Sequence, residues 1–123
     1  MYMSLDAAKF AEEWIASWNA HDVERILSHY AETVEYHSPF IVKLGGSPDG
    51  LLHGKAELRA YIQRGLVEFP ELKFTLLGAY EGVNSVVLNY QSVRNLVAAE
   101  TFVFNAEDKV AQVFCHYQEP PPR

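Results

Sequence analysis

Glu100 is the residue of this chain best placed to do chemistry. It stands in an alternating stretch: Ala98, Glu100, Phe102 and Phe104 share one face, and Ala99, Thr101 and Val103 share the other. The phenylalanine-bearing face belongs inside a core, and it carries Glu100 inward with it. Burial penalises the charged carboxylate, so the pKa of such a group rises. A carboxyl in that state serves as a general acid or as a neutral hydrogen-bond donor. The competing reading is a strand-end carboxylate that is paired with a cation or open to water.

Other residue types with chemical potential are weaker. Cys115 is the single cysteine, so no internal disulfide can form. It sits in an apolar stretch and reads as a small buried hydrophobe, with no catalytic-cysteine motif around it. Ser38 ends an alternating segment just before Pro39. A serine there cannot act as an unassisted base near neutral pH. The five histidines include His21, His29, His37 and His53, and no pair has a zinc-site spacing, so no metal is expected. Gly45-Gly46 lacks the following Lys-Ser/Thr of a phosphate loop. No cofactor motif is visible.

The elements that must position these residues follow from periodicity. Ser4 or Asp6 caps a helix running to about residue 19, with Ala7, Ala11, Trp14, Ile15 and Trp18 on one stripe. Asp22 caps a second helix expected to reach Tyr30. Residues 33–38 alternate and read as a strand, with Val34, Tyr36 and Ser38 on one face. Residues 39–53 hold Gly45, Gly46, Pro48 and Gly50, and read as a loop able to rim a pocket. A third helix spans about 55–69, with Leu58, Tyr61, Ile62, Leu66 and Phe69 inward, and Pro70 after its end. Four strands follow, at about 71–80, 85–93, 96–104 and 109–118, joined by short turns. Val86, Leu88 and Tyr90 share the face assigned inward; Asn89 and Gln91 face out. A one-residue slip would exchange those sets. Cys115 and Tyr117 share a face on the last strand, opposite Phe114 and His116.

Helices first, then a run of strands, is the α+β order. Three N-terminal helices laid on a strongly curved antiparallel sheet enclose a cone. One domain is expected over residues 1–119, with 120–123 as an extended proline-rich tail. The 123-residue length suits one domain, and 49% hydrophobic with 13% aromatic residues suits a large core. A net charge of −6, with scattered basic residues, argues against nucleic acid as a partner. No stretch has the length of a membrane span, and the first ten residues do not resemble a signal peptide. No membrane partner is expected, and the default compartment is cytoplasmic.

Several local strings resemble the SnoaL-like branch of the nuclear transport factor 2-like superfamily, which includes ketosteroid isomerase and polyketide cyclases. They are Trp14-Ile15-Ala16-Ser17-Trp18-Asn19-Ala20-His21-Asp22, His37-Ser38-Pro39, Gly54-Lys55-Ala56-Glu57-Leu58-Arg59-Ala60-Tyr61, Ala99-Glu100-Thr101-Phe102 and Cys115-His116-Tyr117. The resemblance implies a cystatin-like α+β roll, usually dimeric, with a deep pocket under the helices. It aligns Glu100 with the acid that donates to an oxyanion in the isomerases. It aligns Trp14 with their oxyanion tyrosine and Ser38 with their general-base aspartate, so neither group is retained and the same isomerisation is not expected. The epoxide hydrolases use an Asp–Arg–Asp network, which this sequence does not assemble; Arg59 is a candidate member, against the reading of an Arg solvated on a mostly wet helix face. His116 and the apolar Val103 and Phe114 fall on the outer face, where the family forms its dimer contact.

The expected site is therefore an aromatic cage of Trp14, Trp18, Tyr61, Leu88, Tyr90, Phe102, Cys115 and Tyr117, with Ser38 and Glu100 as polar points. Such a lining suits a small hydrophobic molecule bearing a carbonyl or hydroxyl. Three functions remain open: a pocket protein, a cyclase-, isomerase- or hydratase-type enzyme using Glu100, or a homodimeric scaffold whose aromatics fill the cone.

Overall fold

The computed structural model describes residues 6–44 and 46–118. The Ser4 cap and the tail at 120–123 lie outside the described residues. The chain runs α1 (Ala7–Asn19), α2 (Val23–Leu27), β1 (Tyr30–His37), α3 (Pro39–Lys43), β2 (Leu51–His53), α4 (Gly54–Glu68), β3 (Thr75–Gly82), β4 (Ser85–Gln91), a 3-10 turn (Val93–Asn95), β5 (Val97–Phe104) and β6 (Val110–Gln118). The α+β class holds, with β1 and β2 interleaved among the helices and β3 to β6 following them.

One six-stranded sheet has the order β2-β1-β6-β5-β4-β3. It is strongly curved and open rather than closed. Register shifts in the β1/β6, β3/β4 and β5/β6 pairings put extra residues into strands, which bends them. The expected antiparallel meander holds for β3 to β6, whereas β1 pairs with β6 in parallel. The β2 and α4 crossover between β1 and the meander supplies the long connection that a parallel pair needs.

The helices form where capping allows. Asp6 accepts from Lys9 N at 3.1 Å and Asp22 from Arg25 N at 3.1 Å. Glu13 and Arg25 join α1 to α2 through two contacts, 2.8 and 3.0 Å. Arg59 of α4 pairs with Glu24 of α2 at the surface, so it is not a member of any buried catalytic network.

Three local expectations need correction. The second helix stops at Leu27 instead of Tyr30. Ser28 Oγ donates to Arg25 O, and His29 Nδ1 contacts Ile26 O at 3.1 Å, so side chains take up the carbonyls a further turn would have used. Tyr30 instead opens β1. The segment at 39–53 is not all loop. Ser38 caps α3, accepting from Phe40 N at 3.2 Å with Pro39 in the first turn, and β2 follows. The strand expected from residue 71 begins only at Thr75, because the segment before it is tied to the α1–α2 turn. Asn19 Oδ1 accepts from Phe74 N at 2.7 Å, Asn19 Nδ2 donates to Phe74 O at 3.0 Å, and His21 Nε2 contacts Leu72 O at 2.9 Å.

The inner faces of β4 and β5 carry Val86, Leu88, Tyr90, Ala98, Glu100 and Phe102 into the core, as the alternation predicted. The register places Glu100 between Leu88 on one side and Cys115 on the other. Among the described residues no helix is long and apolar enough to cross a membrane.

Candidate functional site: an aromatic hollow with a buried carboxyl

The core between α1, α4 and the sheet is almost filled by aromatic rings. Trp14 is fully buried and meets Trp18, Phe74, Tyr90 and Phe102, with ring centroids 5.2 to 6.0 Å apart. Tyr36 meets Tyr61 at 5.6 Å, and Phe40 meets Tyr117 edge-on at 4.9 Å. These offset and edge geometries are the favoured ones for aromatic pairs. What remains open is a hollow of about 40 Å³. That is room for about two water molecules.

Five of the eight expected pocket residues wall this hollow: Trp14, Trp18, Tyr61, Tyr90 and Tyr117. Leu88, Phe102 and Cys115 do not. They are buried one layer behind, where they support the wall. Residues not expected in the site also wall it. Tyr36 comes from β1, Phe40 and Leu44 from α3 and its end, and Phe69, Leu72 and Phe74 from the link after α4. The Phe69 position was visible on the helix stripe, and Tyr36 shares a face with Ser38. Phe40 was hidden, because its segment reads as loop.

Glu100 is 1% exposed. Tyr90 Oη donates to its Oε1 at 2.5 Å and Tyr36 Oη to its Oε2 at 3.4 Å. Burial pushes the carboxyl up to about 7, against hydrogen bonds from Tyr90, Cys115 and Tyr36 that pull it down. Burial also pushes the Cys115 thiol well up, with the neighbouring Glu100 adding to the effect, so it is no thiolate nucleophile. Tyr36 and Tyr90 each touch Glu100 and the hollow. They are the route by which the carboxyl's protonation is felt at the wall.

Ser38 is buried, and its hydroxyl caps α3 by accepting from Phe40 N at 3.2 Å. It does not wall the hollow. Trp14 stands where the resemblance puts the isomerases' oxyanion tyrosine. Its Nε1 is already committed, donating to Tyr30 Oη at 3.0 Å. Tyr30 escaped the sequence reading because it was placed on a helix.

Trp18 is different. It is 6% exposed, it walls the hollow, and its buried Nε1 has no hydrogen-bond partner among the described residues. An indole N–H without an acceptor costs free energy of about 1–3 kcal/mol.

The histidines serve structure. His29 Nδ1 meets Ile26 O, His37 Nδ1 meets Val113 O at 2.9 Å, and the His37 ring stacks on Phe114 at 4.4 Å on the outer face of the sheet. Among the described residues no group of three or more potential metal ligands gathers.

Comparison with known proteins places this architecture. Residues 11–115 match the SnoaL-like domain family. A SnoaL-like protein of unknown function from Burkholderia thailandensis is 40% identical, with TM-score 0.87 over 91% of this chain and 93% of that one. An NTF2-like protein of unknown function from Cytophaga hutchinsonii is 13% identical, with TM-score 0.70 over 96% and 95%. The epoxide hydrolase/cyclase-like enzyme SalBIII, from pyran ring formation in the polyether salinomycin, is 16% identical, with TM-score 0.72 over 91% and 90%. At those lower identities the likeness is one of fold. No curated protein matches the sequence significantly. With the family pattern covering most of the chain and one relative at 40% identity, the chain belongs to the SnoaL-like domain family.

Proposed function

We propose that this protein binds a small, flat, hydrophobic molecule through a carbonyl or hydroxyl oxygen. The observation that carries the reading is the buried, unpartnered Nε1 of Trp18, a residue that walls this mostly aromatic hollow. An apolar body would stack on Trp18, Phe74 and Tyr90, and its oxygen would accept from Trp18. A hydroxyl of Tyr36 or Tyr90, backed by Glu100, supplies a second polar point.

The hollow must widen to accept such a body. It shares Phe40, Leu44 and Phe69 with an open groove of about 790 Å³. None of the three lies in a sheet strand, so rotamer changes join hollow and groove without breaking a ladder. The experiment is thermal unfolding with and without 2-acetylnaphthalene, a flat ketone. A ligand at about 100 times its Kd adds roughly 2.7 kcal/mol of stability, which is on the order of 10 °C here. No shift up to the solubility limit of this ketone and of matched phenols contradicts the reading.

A second reading, acid/base catalysis of the cyclase, isomerase or hydratase kind, is favoured by one feature. The Glu100 carboxyl, pushed up to about 7, is poised to give or take a proton near neutral pH, through Tyr36 or Tyr90. Any turnover found on a bound ligand should vanish in Glu100→Gln while binding persists. Turnover unchanged in that variant removes the catalytic reading. Association as a homodimer through the outer sheet face belongs to the same proposal. Exposed Leu77 and Tyr80 on the edge strand, with half-buried Val103 and Phe114, give that face its apolar character. Sedimentation velocity should show twice the monomer mass, and a lone monomer at high concentration would rule it out.

A further inference from the structure

The groove that opens from the hollow carries a concentration of positive charge. The chain has net charge −6 and only ten Lys and Arg residues. Three of those ten, Lys43, Arg64 and Arg94, line this one groove. They come from three separate parts of the chain: the end of α3, the third turn of α4 and the 3-10 turn between β4 and β5. Glu68 is the one acidic residue lining the groove. In the adjoining hollow beside the same turn, Glu71 is offset by Lys73.

Three of the other cations sit in surface ion pairs. Arg25 pairs with Glu13, Lys55 with Glu32 and Arg59 with Glu24. Among the described residues none of the three groove cations takes part in an ion pair. Two of them lie over the very rings that close the hollow. Lys43 Nζ is 5.8 Å from the Phe40 ring centroid, and the Arg94 guanidinium carbon is 5.3 Å from that of Phe69. Arg94 and Asn95 both take left-handed backbone, φ 57° and 60°, in the turn between β4 and β5.

Resting on the pocket reading above, we propose that the ligand is an amphipathic anion: its flat apolar body enters between Phe40 and Phe69, and its carboxylate stays in the groove among Lys43, Arg64 and Arg94. The gate and the anion site are then one structure. A carboxylate that draws Lys43 and Arg94 toward itself lifts both cations off the rings they cover, and those rings are the ones that must turn to admit the apolar body. The three cations also give a chain of net negative charge a specific way to attract a negatively charged molecule, by a local field opposite to the global one.

The test is calorimetric titration with a matched pair, 6-hydroxy-2-naphthoate and its neutral isostere 6-hydroxy-2-naphthamide, each carrying a far hydroxyl for Trp18. The carboxylate should bind about tenfold more tightly, the scale of charge-assisted hydrogen bonds. Raising salt from about 0.05 to about 0.5 M should remove most of that preference, because the three cations are exposed and screened. In the triple variant K43Q/R64Q/R94Q the two probes should bind alike. Equal affinities in the parent protein overturn the anion site and leave the pocket reading standing. A preference that survives both the triple variant and high salt overturns the placement of the carboxylate. Binding of neither probe overturns the anion site and the pocket reading together.

Discussion

Replacing Trp14 by alanine should destabilise the protein by about 4 kcal/mol, within the 3–5 kcal/mol range for deleting a buried large aromatic. The ring is fully buried, and four aromatic neighbours lean on it from α1, the Phe74 segment, β4 and β5. Its loss opens a void that these rings, fixed on separate elements, cannot collapse to fill. It also strips Tyr30 Oη of its donor in a buried site. Thermal unfolding should fall by something on the order of 15 °C. Trp14→Phe separates the two effects: packing is mostly kept, the hydrogen bond is not, and about 1–3 kcal/mol should be lost. If Trp14→Ala unfolded with the parent, the hollow would not be part of a close-packed core, and the account of its walls would fail.

Glu100 should give the protein an unusual dependence on pH. Its carboxyl titrates at 4.5 in an unfolded chain and at about 7 when folded, because burial disfavours the anion. Between those values the folded protein keeps a proton that the unfolded chain has released. Stability from this group is therefore full below pH 4.5, declines as pH rises toward 7, and is level above it. The span corresponds to about 3 kcal/mol. Glu100→Gln has no proton to lose, so the slope should disappear. Above pH 7 the variant should be at least as stable as the parent. His29 works in the opposite direction. Burial holds it below its ordinary value, so its contribution grows as pH rises. The difference between parent and Glu100→Gln in urea unfolding, measured from pH 4.5 to 8, cancels the His29 part. A difference that is constant across that range would mean Glu100 is charged in the folded state.

Much of the site was legible because alternation survives where both neighbours of a strand are close in sequence. Val86, Leu88 and Tyr90 opposite Ala98, Glu100 and Phe102 need only a short connection to find each other, and the inward Glu100 follows from the phenylalanine beside it. The stripes of α1 and α4 were equally plain. What escaped depends on partners far along the chain. Nothing near residue 71 says that Leu72 and Phe74 will be held by His21 and Asn19, more than fifty positions away. Tyr30 fits a helix stripe as well as a strand, and only its place beside Val110 decides. Ser38 before Pro39 was a helix signal, but the glycines that follow outweighed it. The size of the hollow was out of reach altogether. It is the small remainder left by a dozen side-chain rotamers, and the unpaired indole N–H is a consequence of where Trp18 stops.

The central claim is that an oxygen of a flat apolar ligand meets Trp18. With two tryptophans, the chain has two indole N–H signals in a proton–nitrogen correlation spectrum. Assign them with Trp18→Phe, then titrate with 2-acetylnaphthalene. The Trp18 signal should move downfield as its N–H gains an acceptor, while that of Trp14, already bonded to Tyr30, should move far less. A saturable titration that leaves the Trp18 signal in place, or a Trp18→Phe variant that binds the ketone as tightly as the parent, would contradict the claim.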